Sequence, residues 1–294
     1  MSKLFFAPLP HRGFISVSGD DRASFLQGLV SNDVTKASAS RGLYGAFLTA
    51  QGKFLHEFFL AEVDGALLIE TEAARRGDFA KRLALYKLRA KVAISQPEGL
   101  TAYALWGEGA AEAVGFAAEA GLAGPFGQGT VLVDPRLAEA GLRAWLPDGN
   151  ALSAAGFTEA TTEAWDHHRI GLGLPDGSRD MEPERALLLE NGFDELNGVD
   201  FKKGCYLGQE MTARTKYRGL IRKRLMPVEI AGPTPAPGTL ILQGESEAGE
   251  MRSASGTLGL ALLRLEALTD GAPLRAGEAL LTPHKPGWAV FSGS

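Results

Sequence analysis

The sequence predicts an α+β protein that ends in a small all-β module. Over roughly the first 170 residues, strand-like runs joined by hairpin turns alternate with amphipathic helical stretches, which favours α+β layers over one long parallel sheet. Over the last 70 or so, short apolar runs are separated by Pro and Gly clusters, as in a small β-barrel or sandwich. At 294 residues the chain is about twice the rough 150-residue size of one domain, so two or three domains are expected. No fixed-period repeat is visible, which excludes a solenoid.

The elements follow in order. FISVSG at 14–19 has strand composition, and Asp20 or Asp21 stands at an N-cap position ahead of Phe25, Leu26, Leu29 and Val30 at helical spacing. FLHEFFLAEV and ALLIET read as two strands joined at Asp64-Gly65, a hairpin-type pair. Phe79, Leu83 and Tyr86 then recur at i, i+4, i+7 and predict a helix. KVAIS at 91–95 and LTAYALW at 100–106 return to strand, and the Ala-rich stretch 108–120 reads as a helix stopped by Gly121. TVLVD and GLRAWLP form a strand pair within 130–147, and TEAWDHHRIGLG at 162–173 is a helix ending in Gly. LMPVEI, GTLIL, LGLALLRL, ALLTP and WAVF supply the short strands of the last module.

Composition narrows the function. Hydrophobic residues at 45% and charged residues at 22% describe an ordinary folded protein. A formal net charge of -5 gives no whole-surface attraction to nucleic acid or anionic lipid, so neither nucleic acid nor membrane is an expected partner. The single cysteine, Cys205, excludes an intramolecular disulfide and an all-cysteine metal site built from one copy of the chain. MSKLFFAPLP offers too short an apolar stretch for a secretory signal, and no run approaches the ~18 apolar residues of a spanning helix. A reducing, cytoplasmic location is the expectation.

One segment concentrates charge. Between Lys202 and Arg224 lie eight bases and a single acid, Glu210, a local +7 that leaves -12 for the rest of the chain. An anionic ligand or partner is the functional reading, and a solvated loop paired with acids elsewhere is the bland one. Cys205 lies inside this island, where neighbouring cations favour the thiolate, the form that acts as nucleophile and metal ligand. Gly204 and Gly208 permit a tight turn around it. A buried, inert cysteine is the alternative.

KGCYLGQE, residues 203–210, resembles the signature of the YgfZ family of folate-binding proteins, which shares its fold with the aminomethyltransferase (T-protein) of the glycine cleavage system. FLQGLVSNDV, LTAQGKFLHEFFL, LYKLRAKVAI and the stretch from Arg169 to Arg224 look like further family blocks, and the chain is most similar to the mitochondrial-type iron–sulfur assembly factors. The likeness is weakest between about 108 and 160. It implies an aminomethyltransferase-like three-domain fold: a first α+β (ferredoxin-like) domain from 1–40 and 122–222, a second inserted at 41–121, and a β-barrel at 223–294. It also implies a tetrahydrofolate channel between them and support for [4Fe-4S] maturation, together with A-type iron–sulfur carrier proteins and [4Fe-4S] client enzymes.

By the same resemblance Cys205 is the functional thiol, and Glu190 matches the glutamate that accepts hydrogen bonds from the pterin ring, a task that suits a carboxylate. Arg222 and Arg224 are candidates to grip the folate carboxylates, and Asn32, Asn197, Lys203, Tyr206 and Gln209 complete the expected folate-binding set. An iron–sulfur cluster takes four ligands, so Cys205 would serve as a metal ligand only together with ligands of a partner, in a transient shared cluster.

Two other classes compete. The aminomethyltransferases carry an acidic pair where this chain has His56-Glu57; a folate-dependent one-carbon transferase would depend on Glu57 or on Asp78 more than on Cys205. Nucleic-acid binding through the basic island has only Tyr206 and Tyr217 for base stacking. Adjacent His167 and His168 point about 100° apart on a helix and make a poor metal pair. Gly171–Gly177 lacks the GxGxxG spacing of a phosphate loop.

Overall fold

A computed structural model describes residues 3–219, 221–269 and 271–290, whose strands form two open sheets and one closed barrel. The chain begins with β1 (Phe5–Pro8), β2 (Arg12–Ser18), α1 (Arg22–Gln27), β3 (Leu43–Leu48), β4 (Phe54–Val63), β5 (Ala66–Glu72), α2 (Arg76–Tyr86) and β6 (Ala93–Ser95). Strands β2 to β6 make a five-stranded sheet in the order β3-β4-β5-β2-β6. Next come β7 (Thr101–Trp106), α3 (Ala110–Ala113), β8 (Ala123–Phe126), β9 (Gly129–Val133), β10 (Leu142–Leu146), α4 (Asn150–Ala154) and β11 (Thr158–Glu159). With β1 they build a six-stranded sheet in the order β11-β1-β7-β10-β9-β8. Helices α5 (Thr162–Gly171), α6 (Gly177–Asp180) and α7 (Gln209–Arg218) lead to β12 (Lys223–Ala231), β13 (Leu240–Gln243), β14 (Ser246–Ser255), β15 (Leu258–Arg264), β16 (Leu274–Ala276) and β17 (Ala279–Pro283), which close the barrel.

The period of two along each strand builds four layers. Ile15, Val17, Leu60 and Ile69 face Phe25, Leu26, Phe79 and Leu83 of α1 and α2. The opposite face, with Phe14, Tyr44 and Phe59, packs on Ala102, Ala104 and Trp145 of the six-stranded sheet. That sheet's outer face, with Leu105, Val131 and Leu142, is covered by Ala110 and Ala111 of α3 and Leu152 of α4. The two-residue turn at Asp64 (φ 50°) and Gly65 (φ 75°) joins the paired ends Val63 and Ala66 as the sequence predicts.

Several expectations are corrected. Asp21 makes no side-chain cap; its carboxylate accepts the Lys91 N–H at 2.7 Å and ties α1 to the strand-6 approach. The helix predicted over 108–120 is only Ala110–Ala113, because Gly109 and Gly115 both adopt left-handed φ, 84° and 86°, at its ends. WAVF forms no strand among the described residues; Trp288 instead donates its indole N–H to Leu172 O at 2.7 Å. The strand pairing divides the chain differently from the segments 1–40, 41–121 and 122–222: β3, β4 and β5 join β2 in one sheet, while β7 joins β1 and β10 in the other. No helix among the described residues is long and apolar enough to cross a membrane.

Candidate functional site

The cysteine loop is anchored to the end of α1. Lys203 Nζ donates to the carbonyls of Gln27 and Val30 at 2.7 and 2.5 Å, and Gln27 Nε2 returns a bond to Lys203 O at 3.3 Å. Gln27 O is an orphan carbonyl of the helix end, where a cation is favoured, and Val30 follows in a bridge to Phe47. Burial pushes the Lys203 amine down to about 8, and the ammonium lies 5.1 Å from the Tyr206 ring centre. Leu207 N–H donates to Gly28 O at 3.1 Å. Tyr206 is buried, which pushes its phenol up to about 12, and its N–H donates to Gln209 Oε1 at 3.2 Å while its carbonyl accepts the Gln209 N–H at 3.2 Å.

Gly208 (φ 80°) closes the loop against the turn at 49–52: a Cβ there would overlap Thr49 O, and one on Gly52 would lie 2.6 Å from Gly208 O. Two close backbone approaches thus require glycine on both sides. Cys205 stands exposed on the turn these contacts brace. The inert buried cysteine is thereby excluded. Lys203, Tyr206 and Gln209, expected to touch folate, are engaged in holding the loop.

Glu190 lies elsewhere, in a cavity of about 350 Å³ between the 180–191 segment and the barrel strands β12 and β14, lined also by Lys53, Arg185, Asn191, Lys223 and Arg252. Burial raises its pKa, with Lys223 and Lys53 opposing the rise, and its carboxylate has no hydrogen-bond or ion-pair partner among the described residues. A half-buried carboxylate without a partner is an acceptor waiting for donors. The donor edge of a pterin suits it; Asp180, Glu182 and Glu250 also line the cavity, and Glu182 and Glu250 pair with Arg185 and Arg252, which leaves Lys53 and Lys223 as the cations suited to a folate carboxylate.

Arg224 does not join them. It is 3% exposed, donates to Leu189 O and pairs with Glu195, so its charge is already matched. Arg222 is exposed and does not line the Glu190 cavity. Successive residues alternate across a strand, so it is Lys223, between the two expected arginines, that reaches the Glu190 cavity. Lys53, Arg185, Lys223 and Arg252 are the lining cations the sequence reading missed; for Lys223 the alternation of 222–224 was the available signal. Asn32 and Asn197 do meet, through Asn32 Nδ2 and Asn197 O at 2.7 Å, but in a second cleft of about 490 Å³ that shares no residue with the first. Asn32 Nδ2 also donates to Tyr44 O at 2.7 Å, so its amide braces backbone.

The residues of the transferase reading are committed to structure. Glu57, 2% exposed, pairs with Arg12 in the layer between the two sheets. His56 Nε2 donates to Asp78 at 3.0 Å and its ring stacks 4.7 Å from Phe79; burial, with Arg75 nearby, pushes it down to about 4, so it is neutral. Asp78 is held below its ordinary value, despite partial burial, by hydrogen bonds from Arg82 and His56. None of the three lines the Glu190 cavity. No group of three or more potential metal ligands exists among the described residues, and His168 stacks on Trp106.

Comparisons with known proteins agree with this architecture. Residues 222–291 match the family model described as the CAF17 C-terminal beta-barrel domain. The chain is 37% identical to the human iron-sulfur cluster assembly factor IBA57, mitochondrial, over 95% of this chain and 84% of the relative. It is 34% identical to the IBA57 homolog of Neurospora crassa, over 89% and 70%. Among solved structures, aminomethyltransferase T of the glycine cleavage system from Bartonella henselae superposes with a TM-score of 0.78 at 15% identity, over 98% of this chain and 86% of that one, which shows the fold. The cytoplasmic expectation is overturned, since these relatives are named mitochondrial. Its grounds, no export signal and one cysteine, are met equally by a reducing organelle interior. With relatives this similar over nearly its whole length, the chain belongs to the IBA57 family of iron–sulfur cluster assembly factors.

Proposed function

We propose that the protein assists assembly or repair of [4Fe-4S] proteins, with Cys205 offered to a cluster held by a partner and tetrahydrofolate bound at the Glu190 cavity. The observation that carries this reading is the exposed thiol on a loop braced from α1 and from the 49–52 turn. A single thiolate supplies one of the four ligands a cluster takes, so the remaining ligands come from a partner, for which an A-type carrier protein or a [4Fe-4S] client enzyme is suited. Glu190 accepts from the pterin edge, while Lys53 and Lys223 receive the folate carboxylates. Tetrahydrofolate brings a one-carbon acceptor when bound. The burial of Glu57 and the pairing of Asp78 support an accessory role over a transferase.

In cells deleted for the gene, the unaltered chain should restore the activity of a [4Fe-4S] enzyme, and Cys205→Ser should leave it near the deletion level. Equal rescue by both would remove the thiol from the function and make folate binding its centre. For the ligand, Glu190→Ala should weaken tetrahydrofolate about 10–100-fold by titration calorimetry, as expected for loss of hydrogen bonds to a charged group. An unchanged affinity would move folate out of this cavity.

A further inference from the structure

The Glu190 cavity and the Cys205 loop are built from separate segments, and one short turn touches both. Residues 49–53 connect β3 to β4 and are closed by three hydrogen bonds: Thr49 N–H to Lys53 O at 2.8 Å, Gly52 N–H to Thr49 O at 2.9 Å, and Lys53 N–H to Thr49 Oγ1 at 3.1 Å. Consecutive residues at its end face different neighbours. Gly52 is pressed against the cysteine loop, where a Cβ on it would lie 2.6 Å from both Gly208 O and Met211 Cβ. Lys53 lines the Glu190 cavity on one side and the groove beside α2 on the other. Phe54 N–H donates to Ala186 O at 3.0 Å, and Phe54 O accepts from Glu184 N–H at 2.7 Å, which ties the same stretch to the cavity wall.

The cations of that cavity are not equivalent. Arg185 and Arg252 are paired with Glu182 and Glu250. Lys53 and Lys223 form no ion pair among the described residues and act on the Glu190 carboxylate through space. Lys223 stands on β12, where the ladder to β15 sets it opposite Arg264 and fixes its backbone. Lys53 stands on the turn. An anionic group in the cavity is attracted by both lysines, but only through Lys53 does it pull on the element that touches the cysteine loop.

We propose that Lys53 is a positioning residue: by pairing with the anionic end of a tetrahydrofolate in the Glu190 cavity it tightens the 49–53 turn and, through the contact of Gly52 with Gly208, the loop that carries Cys205. The inference rests on the folate reading of the cavity and adds a consequence for the thiol. Turn and loop meet backbone to backbone, so no flexible side chain lies between Gly52 and Gly208 to absorb a displacement. From Gly208 the restraint reaches the bonds between Tyr206 and Gln209 and the Leu207 N–H on Gly28 O. A ligand that orders a segment lowers its local opening, and by linkage the ordered segment binds the ligand more tightly. The folate-loaded protein thus presents its thiol on a stiffer loop than the empty one.

Amide hydrogen exchange of the full chain, read by mass spectrometry with and without saturating 5-formyltetrahydrofolate, tests this; titration calorimetry sets saturation for each variant. In the unaltered chain the ligand should slow exchange across 203–211 about 5-fold or more. Lys53→Met and Lys223→Met each remove a lining cation, and each should weaken binding about 10-fold, which leaves both saturable. At saturation Lys223→Met should keep the slowing and Lys53→Met should lose it, while Lys53→Arg, which keeps the cation, should retain it. Equal slowing in the two methionine variants overturns the proposal, because general stabilisation by bound ligand would then account for it. So does ligand binding by the unaltered chain without any change at 203–211, an outcome that leaves the folate cavity intact. Absence of binding by the unaltered chain removes folate from the cavity and this coupling with it.

Discussion

Replacing Glu70 by leucine is expected to cost about 3–5 kcal/mol of unfolding free energy, measured from urea midpoints. Glu70 is fully buried on β5, where it accepts from Arg12 Nε and Arg143 Nε at 2.9 Å each and from the Trp145 indole at 2.6 Å. Burial alone would raise its pKa, yet Arg143 and Arg12 hold it at about 2. Removing the carboxylate strands Arg143, whose remaining described contact is the face of Phe59 at 3.9 Å, while Arg12 keeps Glu57 and Asp176. An unpaired buried cation is the expensive outcome; deleting the pair together would cost far less.

The pH dependence has a defined sign. With an ordinary value of 4.5 and a folded value of about 2, the stability Glu70 contributes is complete above pH 4.5 and is lost as pH falls through 2. The leucine variant should therefore lose less stability than the parent across that window. A loss under about 1 kcal/mol at neutral pH would mean that water reaches this layer.

Gly208→Ala is the second large effect, about 2–4 kcal/mol in thermal or urea unfolding, with loss of [4Fe-4S] rescue. The backbone there is left-handed at 80°, and the added methyl would overlap Thr49 O and lie 3.0 Å from Leu48 Cβ, so neither strand nor turn can yield cheaply. Gly204→Ala is the control. Its φ is 93° but nothing lies within 4 Å of a Cβ, so it should pay the conformational cost alone, about 1–2 kcal/mol. Equal destabilisation by both variants would show that the packing of the 49–52 turn on the cysteine loop contributes nothing.

Where period and turn chemistry were strong, the fold was legible: Asp64-Gly65 announced its hairpin, and Phe79 and Leu83 their buried helix face. Strand β14 was not, because SEAGEMRSAS is interrupted by Glu247, Glu250 and Arg252, and Ala248, Met251 and the partly buried Ala254 carry its apolar face into the barrel. Strand β1 was hidden by its length of four residues and its proline end. The motif marked the loop but not how it is held. Lys203, Tyr206 and Gln209 look like ligand contacts in one dimension and prove to be braces: Lys203 bonds Gln27 and Val30, 176 and 173 residues away, and Tyr206 and Gln209 bond each other. Charge density likewise pointed at Arg222 and Arg224, and only the strand's alternation selects Lys223.

The position of β1 has a consequence for how the chain is made. Phe5 pairs with Trp106 on one side and Thr158 on the other, so β1 gains its second neighbour only after the chain from 107 to 158 has followed the first. β2, a few residues later, pairs with β5 and β6, both of which are complete by Ser95. The five-stranded sheet therefore matures first, trailing an apolar FFAP tail, and the six-stranded sheet closes around that tail as a late, high-contact-order step. Until then Phe5 and Phe6 are a natural handle for a chaperone.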